Sequence, residues 1–200
     1  MGDIKYMLKP EWVTWEQIKE CMSKAHEQNR KKGIVMQNQF MSIEEFEQYY
    51  KNSFCCVALK DNQVIGTSSF KKIKRNSWWT KKEPAAYEFG DAIIPEYRGT
   101  DVYFDLLAFR AKQIENAGIR ILQFDTAENN KLVQRLSIKK GAKKVKLYSS
   151  KKTWYYSVIM VKWLDGCPYS DWYCDFRFKL SSLIVKTIFK PGRKCRFWFH

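Results

Sequence analysis

The sequence predicts an α/β fold in which a mixed central sheet is flanked by helices. Apolar residues recur at helical spacing in some segments and at strand spacing in others, and the two kinds of segment alternate along residues 1–164. Hydrophobic residues make up 45% of the 200-residue chain, which is enough for one α/β core. No repeat or low-complexity linker is visible. We therefore predict one domain over 1–164 and a C-terminal extension over 165–200.

The N-terminal segment predicts a strand at Ile4–Leu8 followed by two capped helices. A Ser or Thr followed three residues later by Glu or Gln is the capping-box pattern, and Thr14 with Gln17 and Ser42 with Glu45 both match it. Apolar residues behind each box share one helical stripe, which predicts one buried face per helix. They are Trp15, Ile18, Met22 and Ala25 in the first helix and Phe46, Tyr49 and Tyr50 in the second.

A hairpin and a third strand are predicted next. The segments 54–60 and 63–73 are rich in β-forming residues, and Asp61-Asn62 between them tolerates the positive φ of a tight hairpin turn. A further strand over 85–94 ends at Pro95. The rest of the domain alternates between helices and strands: helix 101–117 closed by Gly118, strand 119–126, helix 130–140 closed by Gly141, and strands 143–148 and 153–164.

Positive charge is concentrated in the last 70 residues. Residues 131–200 hold 17 Lys or Arg against 3 Asp, whereas the first 130 residues hold 19 against 18 Asp or Glu. This asymmetry predicts a polyanionic partner: a phosphate-bearing cofactor, a nucleic acid or an anionic lipid.

Targeting and cysteine patterns predict a cytoplasmic protein without a metal. We find no secretion signal and no apolar stretch of spanning length. The six cysteines form no C-x-x-C pair and have no histidine at ligand spacing, so free thiols are expected.

The sequence from Ile93 to Gly99, IIPEYRG, resembles the coenzyme-binding segment of the GNAT superfamily of N-acetyltransferases, in which a helix follows directly. The resemblance implies acetyl-CoA as acyl donor. A helix N-terminus directs main-chain N–H groups and a positive dipole end at one point, which suits a pyrophosphate. The implied coenzyme-binding residues here are Ile93, Ile94, Arg98, Gly99, Thr100, Asp101, Val102 and Tyr103.

A second segment, Asn130 to Ala142, is similar to the family's Asn-x-x-Ala-x-x-Leu-Tyr-x-Lys-x-Gly-Phe motif and adds Asn130 and Val133 to the implied coenzyme site. Two departures stand out. Asp101 and Tyr103 occupy positions where the family has small residues, and Ser137 occupies the position of the tyrosine that often acts as general acid. Asp101 is open to two interpretations: a carboxylate facing the phosphates, or an ordinary helix N-cap.

The resemblance implies direct transfer of the acetyl group to an amine, without a covalent enzyme intermediate. For the base that takes the amine proton we favour Glu88, on the strand facing the coenzyme, with Asp91 of opposite strand parity as second choice. The alternative for Glu88 is a strand carboxylate paired with a lysine. His26 is expected at the surface or in a supporting position.

The extension over 165–200 has three interpretations. In the first, it is a strand or helix docked on the core, which could make a homodimer. In the second, the basic, aromatic residues 190–200 form a peripheral anchor at the anionic inner membrane face. In the third and least favoured, it is a nucleic-acid-binding segment. The predicted function is acetyl transfer from acetyl-CoA to a primary amine of a small molecule or amino sugar. The alternative is a catalytically degenerate acyl-CoA-binding or scaffold protein of the same fold.

Overall fold

A computed structural model describes residues 3–31, 40–74, 77–81, 83–149 and 155–188. The chain divides into two compact units, one of Met1–Ile73 with Ala86–Ile119 and one of Lys74–Ala85 with Arg120–His200.

The first unit contains four strands and three helices among its described residues. They are β1 (Lys5–Leu8), α1 (Trp15–Lys31), α2 (Ile43–Tyr50), β2 (Phe54–Lys60), β3 (Gln63–Ile73), β4 (Ala85–Ile93) and α3 (Val102–Asn116). The strand order is β1-β2-β3-β4. The strand β2 is antiparallel to β1, with Lys5 opposite Leu59, and to β3, with Phe54 opposite Phe70.

Local signals place these elements where the sequence predicts them. In both predicted capping boxes the cap side chain and the residue three positions later exchange hydrogen bonds: Thr14 with Gln17, and Ser42 with Glu45. Asp61 and Asn62 have φ of 48° and 62°, as the hairpin turn requires. The stripe residues Ile18, Met22, Phe46 and Tyr50 are buried in one core cluster together with Val57 and Leu59.

The second unit contains three strands and two helices among its described residues. They are β5 (Ile121–Ala127), α4 (Lys131–Lys139), β6 (Lys143–Ser149), β7 (Tyr156–Trp163) and α5 (Asp171–Ile188). The strand β7 lies between β5 and β6 and is antiparallel to both. The α/β class and the predicted order of elements are confirmed.

The helix α5 is the docked element that the sequence left as one alternative for the extension. Its Val185 and Phe178 pack with Leu147, Val158 and Met160, and Ser181 Oγ accepts a hydrogen bond from the main-chain N–H of Leu147 at 3.0 Å. Residues 190–200, to which we assigned a membrane anchor, lie outside the described residues, so that assignment stays a prediction. Within the part of the chain that the structure describes, none of the helices has the length and apolar character needed to cross a bilayer.

Candidate active site

The strand β4 contains a glycine with a left-handed main-chain conformation. Gly90 has φ of +71°, a left-handed conformation that interrupts the alternation of side chains along the strand. Regular alternation would place Glu88 and Asp91, which have opposite strand parity, on opposite faces, yet both carboxylates contact Arg110 of α3. The irregularity at Gly90 brings them to one side chain.

Arg110 is the centre of a buried charged cluster. Its Nη2 lies 2.7 Å from Oε1 of Glu88, and its Nη1 lies 2.8 Å from Oδ1 of Asp91 and 2.6 Å from Oγ of Ser68. The side chains of Arg110 and Glu88 are each only 10% exposed. Ser68 in turn donates to Oδ1 of Asp91 at 2.5 Å. One guanidinium therefore orients two carboxylates and a hydroxyl.

The cluster determines the ionisation of its neighbours. Burial alone would lower the pKa of Arg110, but Asp91 and Glu88 outweigh that effect and raise it, so the guanidinium stays charged. The pKa of the Tyr103 phenol is raised well above its usual value, first by burial and then by the negative charge of Asp91 and Glu88. Tyr103 is therefore a neutral hydroxyl at physiological pH.

The turn between β4 and α3 contains the predicted coenzyme-binding run. A single 3-10 turn covers Pro95–Tyr97, and Thr100 Oγ1 donates to the carbonyl of Tyr97 at 2.7 Å. Gly99 has φ of +79°, and a Cβ built on it would meet nothing within 4 Å. The main chain here is thus open to close approach by a ligand.

The Arg98 side chain points to α1. Its guanidinium donates to the carbonyl of Ala25, to Oε1 of Gln28 at 3.3 Å and to the carbonyl of Ile93 at 3.3 Å. Arg98 therefore fastens the turn to the last part of α1 and to the end of β4. The main-chain N–H of Arg98 is occupied as well, since it donates to the carbonyl of Pro95 at 3.1 Å.

At the start of α3, Asp101 occupies the N-cap position, but its side chain makes no capping hydrogen bond. The structure therefore does not show Asp101 acting as a side-chain cap of the helix. The Asp101 side chain is exposed and Tyr103 is only 37% exposed, so that its phenol is partly buried, whereas Val102 is buried in one cluster with Leu106. The N–H groups of the first helical turn have no acceptor within the helix, so this end is a favourable place for an anion except for the charge of Asp101.

Ile93, the last residue of β4, and Ile94, which follows it, have structural roles of their own. Ile93 is buried in the same cluster as Val102 and Leu106. The N–H of Ile94 donates to the carbonyl of Ile65 at 3.1 Å. These contacts fix the end of the strand from which the turn departs.

Asn130 and Val133 belong to the second unit, at the start of α4. Asn130 is the N-cap, and its Oδ1 accepts from the N–H of Val133 at 3.5 Å. The cap uses the carbonyl oxygen of the side chain and not its amide nitrogen. Ser137, at the position of the family tyrosine, is half-buried.

His26 is buried rather than on the surface, being 8% exposed. Its pKa is lowered, first by burial and then by the charge of Arg98, while the Asp91 carboxylate and a hydrogen bond with the Asp91 main chain oppose this. His26 is therefore a buried, neutral imidazole beside the main chain of Asp91.

Arg110 and Ser68 were missed by the sequence analysis. A signal for Arg110 existed, because it lies four residues after Leu106 and four before Ile114 on the buried stripe of α3. A charged residue on an apolar stripe must find a partner or pay a large desolvation cost. Ser68, on the strand β3, gave no such signal.

The sequence matches a known protein family. Residues 15–137 match the model of the acetyltransferase (GNAT) family. A search of curated protein sequences finds no match.

Several solved structures share the fold. The ribosomal-protein-S18-alanine N-acetyltransferase of Escherichia coli is 12% identical, with a TM-score of 0.61 over 81% of this chain and 94% of that one. An acetyltransferase of Streptococcus agalactiae is 19% identical, with a TM-score of 0.60 over 80% and 98%. A chain of the NatC complex bound to Gag peptide and CoA is 13% identical, with a TM-score of 0.61 over 81% and 99%. With the family model matched over more than half of its length, the chain belongs to the GNAT family of acetyltransferases.

Proposed function

We propose that this acetyltransferase moves an acetyl group from acetyl-CoA to a primary amine of a small molecule or amino sugar. The observation that carries the proposal is the turn from β4 into α3. Gly99 leaves the main chain open directly before the first turn of α3, where N–H groups and the helix dipole favour a phosphate. We assign main-chain contacts with the coenzyme to residues 99–103, with Arg98 holding the turn in place. The family motif implies a further coenzyme contact at Asn130.

In the proposed reaction the amine nitrogen attacks the thioester carbonyl carbon. The C–N bond forms, the C–S bond breaks, the sulfur leaves as thiolate, and the amine loses one proton. We assign that proton to Glu88, with Asp91 as second choice. The contact with Arg110 supports this assignment in one respect, since it holds the Glu88 carboxylate in one orientation. A base must be positioned before its basicity matters.

Binding of acetyl-CoA is the first test. Calorimetry should give a saturable heat, and the free energy of unfolding should rise by about 2.7 kcal/mol at 100 times the dissociation constant. A protein that shows no thermal shift at millimolar acetyl-CoA would contradict the proposal at its first step.

Turnover is the second test, followed as thiol release over amino sugars, small amines and short peptides. Glu88→Gln should lower turnover by about 10²-fold or more while leaving the dissociation constant for acetyl-CoA unchanged. The matched control is Glu96→Gln, the same substitution at an exposed position of the turn, which should keep parental turnover. Equal turnover in both variants would remove Glu88 from the role and make Asp91→Asn the next variant.

The two tests also separate the alternatives. Binding of acetyl-CoA without turnover on any amine would favour the degenerate acyl-CoA-binding protein. Peptides are included because two of the solved structures of this fold are named for a ribosomal protein and for a complex bound to a peptide. Acetylation of peptides alone would contradict the proposed acceptor class.

A further inference from the structure

The helix α5 has two apolar faces, of which only one is covered in its unit. The inner face carries Cys174, Phe178, Ser181 and Val185 at steps of four, three and four residues. Cys174 and Val185 are buried, and Phe178 packs against the core of the second unit. This face accounts for the docking of the helix on β6.

The outer face of α5 repeats the same spacing on another side of the helix. It consists of six large apolar side chains whose exposed fractions are 71, 48, 40, 67, 47 and 66% for Trp172, Phe176, Leu180, Leu183, Ile184 and Ile188, respectively. The rings of Trp172 and Phe176 stack with centroids 5.5 Å apart. The stripe therefore runs the length of the helix, from its first turn to its last.

A surface helix normally carries polar side chains where α5 carries this stripe. Single exposed apolar residues are common and need no explanation, whereas a contiguous row of six marks an interaction surface. The charged residues of the helix that flank the outer face include Asp175, Lys179 and Lys186, and Lys186 is paired with Glu128 at 2.7 Å. The outer face is thus an apolar strip with lysines along one edge.

We propose that the outer face of α5 binds the interfacial region of an anionic phospholipid bilayer. Charge decides between this occupant and a second copy of the chain. The chain has a net charge of +15, and residues 131–200, which include α5, hold 17 Lys or Arg against 3 Asp. Two chains with this net positive charge repel each other on dimerisation, whereas an anionic bilayer attracts each of them.

The length and composition of α5 suit a helix that lies in the interface rather than one that crosses it. Its 18 residues include five charged ones, and at 1.5 Å per residue the helix is about 27 Å long. Amphipathic helices with aromatic and branched apolar residues on one face and Lys on the polar edge lie parallel to the membrane surface. Trp172, the most exposed residue of the stripe, is of a type enriched at the level of the headgroups.

Co-sedimentation of the full-length protein with vesicles tests the proposal. Vesicles of phosphatidylglycerol and phosphatidylcholine in equal amounts should bind the protein, vesicles of phosphatidylcholine alone should not, and 0.5 M salt should weaken binding. Leu183→Glu should lower the partition coefficient at least tenfold more than Ser182→Glu. These neighbours receive the same charge, but Ser182 lies off the apolar stripe and is half-buried.

A second variant, which adds no charge, tests the same face if Leu183→Glu affects folding. Trp172→Gln removes the most exposed ring of the stripe, and should lower binding to anionic vesicles several-fold with an unchanged thermal midpoint. Equal losses in Leu183→Glu and Ser182→Glu would overturn the proposal, as would absence of vesicle binding by the parent. A parent that instead sediments as a dimer in ultracentrifugation, and becomes monomeric in Leu183→Glu, would assign the face to a second copy.

Discussion

Nη2 of Arg110 lies 2.7 Å from Oε1 of Glu88, and both side chains are almost fully withdrawn from water. A buried pair of this kind contributes little net stability relative to an apolar pair, yet removing one partner leaves the other charge uncompensated. The same contact therefore affects both the free energy of unfolding of the first unit and the orientation of the Glu88 carboxylate, the proposed base.

We expect Arg110→Met to lower the free energy of unfolding by about 3–5 kcal/mol, since Glu88 and Asp91 then lose their counter-charge. Urea denaturation measures this. The control is Arg120→Met, which breaks the exposed pair with Asp165, where both side chains are more than half exposed. That change should cost about 0–1 kcal/mol. Similar losses in both variants would mean that the cluster around Arg110 is not desolvated.

Removing the charge of Asp101 should tighten coenzyme binding. Asp101→Asn keeps the size of the side chain, and no capping hydrogen bond is lost because none is made. A negative charge removed from beside a bound anion at a helix N-terminus should gain about 0.3–1 kcal/mol, or about two- to fivefold in the dissociation constant for acetyl-CoA. Calorimetry at low ionic strength measures it.

Glu115→Gln is the control for that experiment. It removes the same charge from the last turn of α3, about 20 Å along the helix from Asp101 at 1.5 Å per residue. Affinity for acetyl-CoA should not change. If both variants bind acetyl-CoA like the parent, the carboxylate of Asp101 does not face the phosphates.

Gly90→Ala should destabilise the first unit for two reasons. The residue has φ of +71°, and a Cβ would come too close to the Tyr50 hydroxyl, which itself contacts Sδ of Met22 at 3.2 Å. A strained backbone and an overpacked contact together cost about 2–4 kcal/mol. Urea denaturation of the variant and the parent gives the difference.

Two comparisons divide that loss into its parts. Gly99→Ala imposes a similar φ of +79° with open space around the new Cβ, so it should cost only the backbone part, about 1 kcal/mol. Adding Tyr50→Phe to Gly90→Ala removes the atom that the Cβ would meet and should recover part of the stability. If Gly90→Ala costs no more than Gly99→Ala, the Tyr50 hydroxyl moves aside without penalty.

Local signals were sufficient to predict the elements but not the site. The capping boxes at Thr14 and Ser42 and the turn at Asp61-Asn62 depend on neighbours within four residues, so the sequence displays them directly. The irregularity at Gly90 does not, because glycine within a strand is compatible with regular alternation. Strand parity therefore separated Glu88 from Asp91, although one guanidinium contacts both.

The partners of charged side chains were the other feature that the sequence did not display. The sequence analysis favoured Glu88 as the base and gave a pair with a lysine as the alternative; in the structure Glu88 is paired with Arg110, which lies 22 positions later in the chain. It named Arg98 among the implied coenzyme-binding residues but did not predict that its side chain reaches Ala25 and Gln28 of α1. Such contacts join residues distant in sequence, and only the packing of α1 and α3 on the sheet brings them together.

His26 should make folding stability depend on pH in a defined window. Burial and Arg98 lower its pKa in the folded protein below the ordinary value of 6.5, so the unfolded chain binds a proton that the folded protein does not. Stability is then complete above about pH 6.5 and falls as pH decreases below it. Urea denaturation at pH 5.0 and 7.5 should give a lower free energy of unfolding at pH 5.0. In His26→Leu this difference should shrink, since carboxylates titrate mainly below that range.

His200, the second histidine and outside the described residues, supplies the control: His200→Leu should keep the pH dependence of the parent. A pH dependence that survives in His26→Leu and disappears in His200→Leu would contradict the burial of His26 as its cause.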